Sequence, residues 1–268
     1  MSNIQKTEPI KDFFNSPAVR EKLSKLVGKD SNTFITSIMQ ITMSNDLLKN
    51  ADPVSIYQAA CLSAILNLPL SNSLGFAYIV PFKNRKKDVQ EAQFQIGYKG
   101  FIQLALRSGE FKTISACEIY EGQIIKNNPL TGFEFDFENK LSDKVIGYCS
   151  YFALRNGFEK YFYMTTENVK KHKAKYSKYG NVWESDFDGM ALKTVLKLLL
   201  SKYAPISLEM QKAIQSDQAV IKDAETMNVE FVDNVEYSET ESTPVFDLNK
   251  EIETKTKKKA IDLDEDLI

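Results

Sequence analysis

Apolar positions recur at helical spacing in the first quarter of the chain, alternate through its middle, and return to helical spacing after residue 165. Residues 1–15 are polar and read as a frayed start. Ser16-Pro17 is an N-cap followed by proline at the first helical position, and Gly28 closes the helix between them. A second helix is expected over about 31–44, with Phe34, Ile35, Ile38 and Ile41 on its apolar side. Asp52-Pro53 repeats the cap-then-proline signal. The helix after it, to about Asn67, is rich in Ala, Ser and Cys, which allow close packing.

The spacing then changes. Phe76–Phe82 reads as a short strand, with Pro81 marking an edge or an end. A polar turn follows, and the chain returns through Gln93, Phe94, Gln95 and Ile96 in alternation. Gly97 and Gly100 bracket Tyr98 and Lys99 at a strand-to-helix junction; a helix to Ser108 stops at Gly109. Strands are expected over about 112–120, 133–138, 145–154 and 158–164, with Asn156-Gly157 as the hairpin turn between the last two. Thr165 or Thr166 can cap a helix that begins near Glu167 and carries Lys170, Lys171, Lys173, Lys175 and Lys178. Trp183 falls in the loop beyond it. A long helix is predicted from Phe187 to Tyr203, with Leu192, Val195, Leu196 and Leu199 as its stripe, and a last one over 207–217. Past about residue 221, acids, Thr and Ser with sparse apolar positions indicate disorder.

Charge divides the chain at the same place. The net charge is −2. Residues 221–268 hold fourteen acids against six lysines, a net of −8, which leaves +6 on residues 1–220. A basic body thus carries an acidic tail, and the two attract at low salt. No apolar run reaches membrane-spanning length, and MSNIQKTEPI has no apolar signal core, so a cytoplasmic location without membrane contact is expected. Cys61, Cys117 and Cys149 are widely spaced in apolar contexts and read as free buried thiols. His172 is the single histidine, set in a lysine-rich helix, which argues against nucleophilic catalysis. No G-x-x-x-x-G-K-[ST] loop is present, which argues against an ATP-driven strand-exchange motor.

What the chain does offer is positive charge in order. Lys83, Arg85, Lys86 and Lys87 crowd one turn. Lys99, Gln103 and Arg107 share a helix face, and Lys193 and Lys197 lie one turn apart on the long helix. With Tyr98 and the amides beside the glycines, these groups suit a run of phosphates.

The series GFAYIVPF (75–82), QFQIGYKGFIQLALRSG (93–109), ISACEIYEGQ (114–123), VIGYCSYFALRNG (145–157) and GMALKTVLKLLLSKYAP (189–205) resembles the phage RecT-type single-strand annealing recombinases over roughly residues 35–210. The resemblance implies an α+β fold: N-terminal helices and an antiparallel β-sheet with hairpins, crossed by a long helix, similar to the cores of eukaryotic strand-annealing proteins. Together with the charge break read above, it gives an annealing domain over 1–220 followed by a flexible acidic tail over 221–268. It also implies binding of single-stranded DNA and of an annealed duplex intermediate, self-association into rings or helical filaments, and a partner phage exonuclease. A host single-strand-binding protein is a further expected partner. No cofactor is expected to be required, and Mg²⁺ enters only as a modulator of DNA binding. In this reading Lys99, Arg107, Lys193 and Lys197 hold one strand by its phosphates. Lys83, Arg85, Lys86 and Lys87 reach the same or the incoming strand, and Tyr98 stacks on a base or wedges the backbone.

Two other functions compete. Glu134, Asp136 and Glu138 alternate with Phe133, Phe135 and Phe137, and Glu138-Asn139-Lys140 matches the E-x-K element of Mg²⁺-dependent nucleases. A passive single-strand-protecting protein would bind DNA similarly without accelerating pairing.

Overall fold

A computed structural model describes residues 8–230 except 72, 86, 129 and 177–181. The chain begins with four helices, α1 (Glu8–Asn15), α2 (Pro17–Val27), α3 (Ser31–Met43) and α4 (Pro53–Ile65). The strands β1 (Ala77–Asn84) and β2 (Val89–Ile96) form an antiparallel hairpin that leads into α5 (Tyr98–Arg107). Next come β3 (Phe111–Tyr120), β4 (Ile124–Asn128), β5 (Gly132–Phe135), β6 (Val145–Leu154) and β7 (Glu159–Thr165). The C-terminal part holds α6 (Thr166–Tyr176), α7 (Val182–Ser185), α8 (Phe187–Tyr203), α9 (Leu208–Ser216), β8 (Val220–Asp223) and β9 (Asn228–Glu230).

Where local chemistry is decisive, the elements fall where it puts them. The Asp52 carboxylate accepts from the backbone N–H groups of Val54 and Ser55 and so caps α4, with Pro53 at the first helical position. Ser16 precedes Pro17 but donates its hydroxyl to Phe13 O instead of capping. Gly157 adopts φ +89 in the turn between β6 and β7, as the Asn-Gly pair requires.

The start of the chain differs from the frayed expectation. Ile10 and Phe14 sit one turn apart on α1 and are fully buried, and Phe13 packs edge-on against Tyr57 of α4. Three apolar residues in a short polar helix are enough to dock it. Trp183 is also not in a loop: it is buried within α7, against Phe187. β4 has no counterpart in the expected strands, and β5 ends at Phe135, so Asp136 and Glu138 lie in the turn beyond it.

The main sheet has the antiparallel order β3-β6-β7, and α8 crosses one face of it. The Ser150 hydroxyl of β6 donates to Val195 O of α8 at 2.9 Å. A larger core gathers α1–α5, the inner face of the β1–β2 hairpin and the C-terminal half of α8. A smaller one joins Tyr148, Val169, Trp183, Met190, Ala191 and Val195.

The structured body continues past residue 221. Gln218 N donates to Phe94 O, Phe94 N donates to Ala219 O, and Ile221 is buried, so residues 217–223 lie along β2 as a strap. The expected acidic tail, from residue 231 on, lies outside the described residues.

Candidate nucleic-acid interface

The β1–β2 hairpin has two working faces. Alternation sends Ala77, Ile79, Ala92, Phe94 and Ile96 into the larger core. The other face carries Tyr78, Val80, Gln93 and Gln95, and it borders a cleft of about 980 Å³. Trp183 and Asp186 from α7 and its flank, Met190 and Lys193 from α8, Tyr98 from the start of α5 and Tyr176 from the end of α6 complete much of the lining.

Cations flank this cleft on two sides. Lys83 belongs to its lining, and the exposed Arg85 and Lys87 follow in the hairpin turn. Lys83 holds Asp88 at 2.6 Å in an exposed pair. Lys86 lies outside the described residues. Lys99 is exposed beside Tyr98, without an ion pair among the described residues. On the far side, α6 ends in Lys173, Lys175 and Tyr176.

The other expected phosphate ligands are placed differently. Lys193 is 4 % exposed, and its Nζ lies 2.7 Å from Asp217 Oδ1. Lys197 Nζ lies 2.9 Å from Asp217 Oδ2. Asp217 also accepts from Ile96 N at 3.0 Å, tying α8, β2 and the strap together. Burial pushes the Asp217 carboxyl upward, but the two ammonium groups more than offset it and leave it below the usual carboxylate range. Burial pulls Lys193 downward, against the pull of Asp217. Two lysines facing one carboxylate leave this buried group net positive beside the cleft.

Arg107 sits two turns beyond Lys99, about 12 Å along the α5 axis. Its guanidinium donates to Leu66 O at 2.7 Å and Asn67 O at 2.5 Å, closing the C-terminal end of α4. Gln103 is half-buried between them. The shared helix face therefore exists, but its two cations serve different neighbours. The glycines of the junction also act through packing. A Cβ on Gly97 would strike Gly75 O, one on Gly100 would strike Phe76 O, and Gly97 N is already donated to Phe76 O at 3.0 Å.

Sequence reasoning passed over three residues here: Gln93, Trp183 and Asp217. Gln93 looks like a solvated strand position but is 3 % exposed, and its amide nitrogen has no hydrogen-bond partner. Leaving such a group unpaired costs about 1–3 kcal/mol. Asp217 had a signal: two lysines one turn apart in an otherwise apolar helix call for a buried acid.

The acidic strand shows no metal cage. Among the described residues there is no group of three His, Cys, Asp or Glu side chains able to hold a metal ion. Glu134 pairs with Lys126 at 3.2 Å, and Lys140 pairs with Asp143 at 2.7 Å while lying over the Tyr120 ring. The thiols are also placed: Cys61 and Cys149 are buried, whereas Cys117 is exposed, contrary to expectation. Burial pushes Cys61 up to about 11 and Cys149 up to about 12, so both are thiols at neutral pH. No helix among the described residues is long and apolar enough to cross a membrane.

Comparison with known proteins agrees with the motif series. The chain is 42 % identical to the uncharacterized protein YqaK of Bacillus subtilis over 258 residues, covering 91 % of this chain and 88 % of YqaK. It is 29 % identical to protein RecT of Escherichia coli over 227 residues, covering 80 % and 81 % of the two chains. Residues 32–231 match the RecT family, a span that takes in the hairpin, the cleft, α8 and the strap, and the chain belongs to that family.

Proposed function

We propose that this protein anneals complementary single strands of DNA during phage recombination, without ATP, as an oligomer. The observation that carries the reading is the cleft itself, flanked by the basic turn of the β1–β2 hairpin and by the lysine-rich end of α6, in a member of the RecT family. Lys83, Arg85, Lys87 and Lys99 take phosphates, and Lys86 belongs with them by its place in the sequence. Phosphate contacts carry no sequence information, so base edges remain available to test a complement. Pairing and stacking then supply the downhill free energy, and no nucleotide is consumed.

Lys193 and Lys197 enter this reading through their shared net positive charge with Asp217, and Arg107 through the position it gives α5. Self-association into rings or filaments, an exonuclease that exposes the strands, and a host single-strand-binding protein are the partners the reading calls for. Mg²⁺ acts on DNA binding only, and no cofactor takes part.

The test is pairing of complementary oligonucleotides followed without nucleotide, beside an assay for cleavage products with Mg²⁺. Accelerated pairing with intact strands is the expected result. An absolute requirement for ATP refutes the reading. Strand cleavage abolished by Glu138→Gln replaces it with a nuclease, and binding without acceleration replaces it with a protecting protein.

A further inference from the structure

We propose that the cleft accepts an unstacked nucleobase, with the side-chain amide of Gln93 donating to a carbonyl on the base edge. The inference rests on the single-strand reading above and adds a base-binding site to its phosphate contacts. Three observations converge on it. First, Gln93 is a cleft residue whose buried amide nitrogen has no partner within the protein. Its cross-strand neighbour is Val80, which offers no side-chain acceptor.

Second, two donor-only groups, Lys193 and the indole of Trp183, line the same cleft. A ligand that carries acceptors of its own meets these donors together with the Gln93 amide. Thymine and guanine present carbonyl oxygens, whereas the acceptors of adenine are ring nitrogens, set beside an amino donor. Third, the walls include the half-buried rings of Tyr78 and Tyr98, which give a flat base aromatic surface, and Trp183 borders the same cleft. A phosphate finds less here: Lys83 lies toward the exposed turn, and Lys193 is held by Asp217.

Trp183 is the only tryptophan of the chain, so its emission reports on the cleft. The experiment compares the full chain with oligo-dT and with an abasic oligonucleotide of equal length. Oligo-dT is expected to bind about tenfold tighter and to change Trp183 emission, whereas the abasic strand binds through phosphates and leaves the emission unchanged. Oligo-dA falls between them. Gln93→Leu is expected to bring the affinity for oligo-dT toward that for oligo-dA. Equal affinities for oligo-dT and the abasic strand, with unchanged emission in both, overturn the base site while leaving single-strand binding intact. Binding of neither strand overturns the DNA reading and the base site together. The wild-type comparison stands even where Gln93→Leu does not fold.

Discussion

The second strands of the β1–β2 and β4–β5 hairpins both alternate polar and apolar residues, and they end in different surroundings. In β1–β2 both faces hold buried residues. Ala92, Phe94 and Ile96 enter the core, while Glu91 and Gln93 on the opposite face are also buried. Polar groups there are held by partners near and far along the chain: Glu91 accepts from Asn84 of the same hairpin at 2.9 Å and from the remote Lys222 at 2.7 Å. In β4–β5 one face stays wet. Phe133 and Phe135 lie against Tyr163, Phe135 also meets Tyr161, and Glu134 faces solvent with Lys126. Ile125 and Phe137 remain 66 % and 57 % exposed. Alternation alone thus does not say whether a polar position is solvated. What packs on the second face decides it, and that partner is remote in sequence.

The comparison breaks most sharply at Asp217. Asp217→Ala leaves Lys193 buried without its counter-ion, and a loss of about 3–5 kcal/mol is expected in urea unfolding. Glu138→Ala, in the exposed turn after β5, is expected to stay within about 0.5 kcal/mol. Similar losses for both would refute the distinction. The same carboxylate sets an acid limit. Its folded pKa is depressed, so its contribution is present above the ordinary aspartate value of about 4 and is lost as pH falls through the folded value. Acid titration of wild type should therefore show a low-pH stability loss that Asp217→Ala does not share.

Phe135→Ala sharpens the comparison from the other side. Its ring meets Phe133, Phe137, Tyr161 and Tyr163, and its removal is expected to cost about 1–2 kcal/mol, nearly independent of salt. A strongly salt-dependent loss would point to charge rather than ring packing. On DNA the hairpins should separate again. Lys83→Ala and Lys99→Ala are each expected to flatten the salt slope of single-strand binding by about 0.7, and Lys126→Ala on β4 to leave it unchanged. Equal slopes in all three variants would remove the β1–β2 turn from the interface. The smallest effect concerns Cys117, which borders a cavity beneath β5. A thiol reagent at pH 8 should modify Cys117 first and the buried Cys61 and Cys149 far more slowly.

Much of this fold is legible because local chemistry announces it. The Asp52-Pro53 cap, the Asn156-Gly157 turn and the apolar stripe from Phe187 to Tyr203 each fix an element within a residue or two. The site is less legible, because its chemistry is made by long-range pairing. Lys193 and Asp217 lie 24 residues apart, Ile96 and Asp217 lie 121 apart, and the two charged residues look solvated until the strap is in place. Arg107 is the converse: its charge is plain in the sequence, but its carbonyl partners at the end of α4 are not.

That strap also sets an order of events during synthesis. The residues that pair with the α8 lysines and cover β2 are among the last of the described body to be made. When Lys193 has just been added, 24 residues must still follow before Asp217 exists. At ordinary translation speed that takes on the order of one to five seconds. Throughout that interval the long helix carries lysines with no counter-ion to bury them against. α8 therefore takes its final seat between the sheet and α5 after the ribosome has passed the strap. A nascent chain stalled before residue 217 is a natural substrate for chaperones.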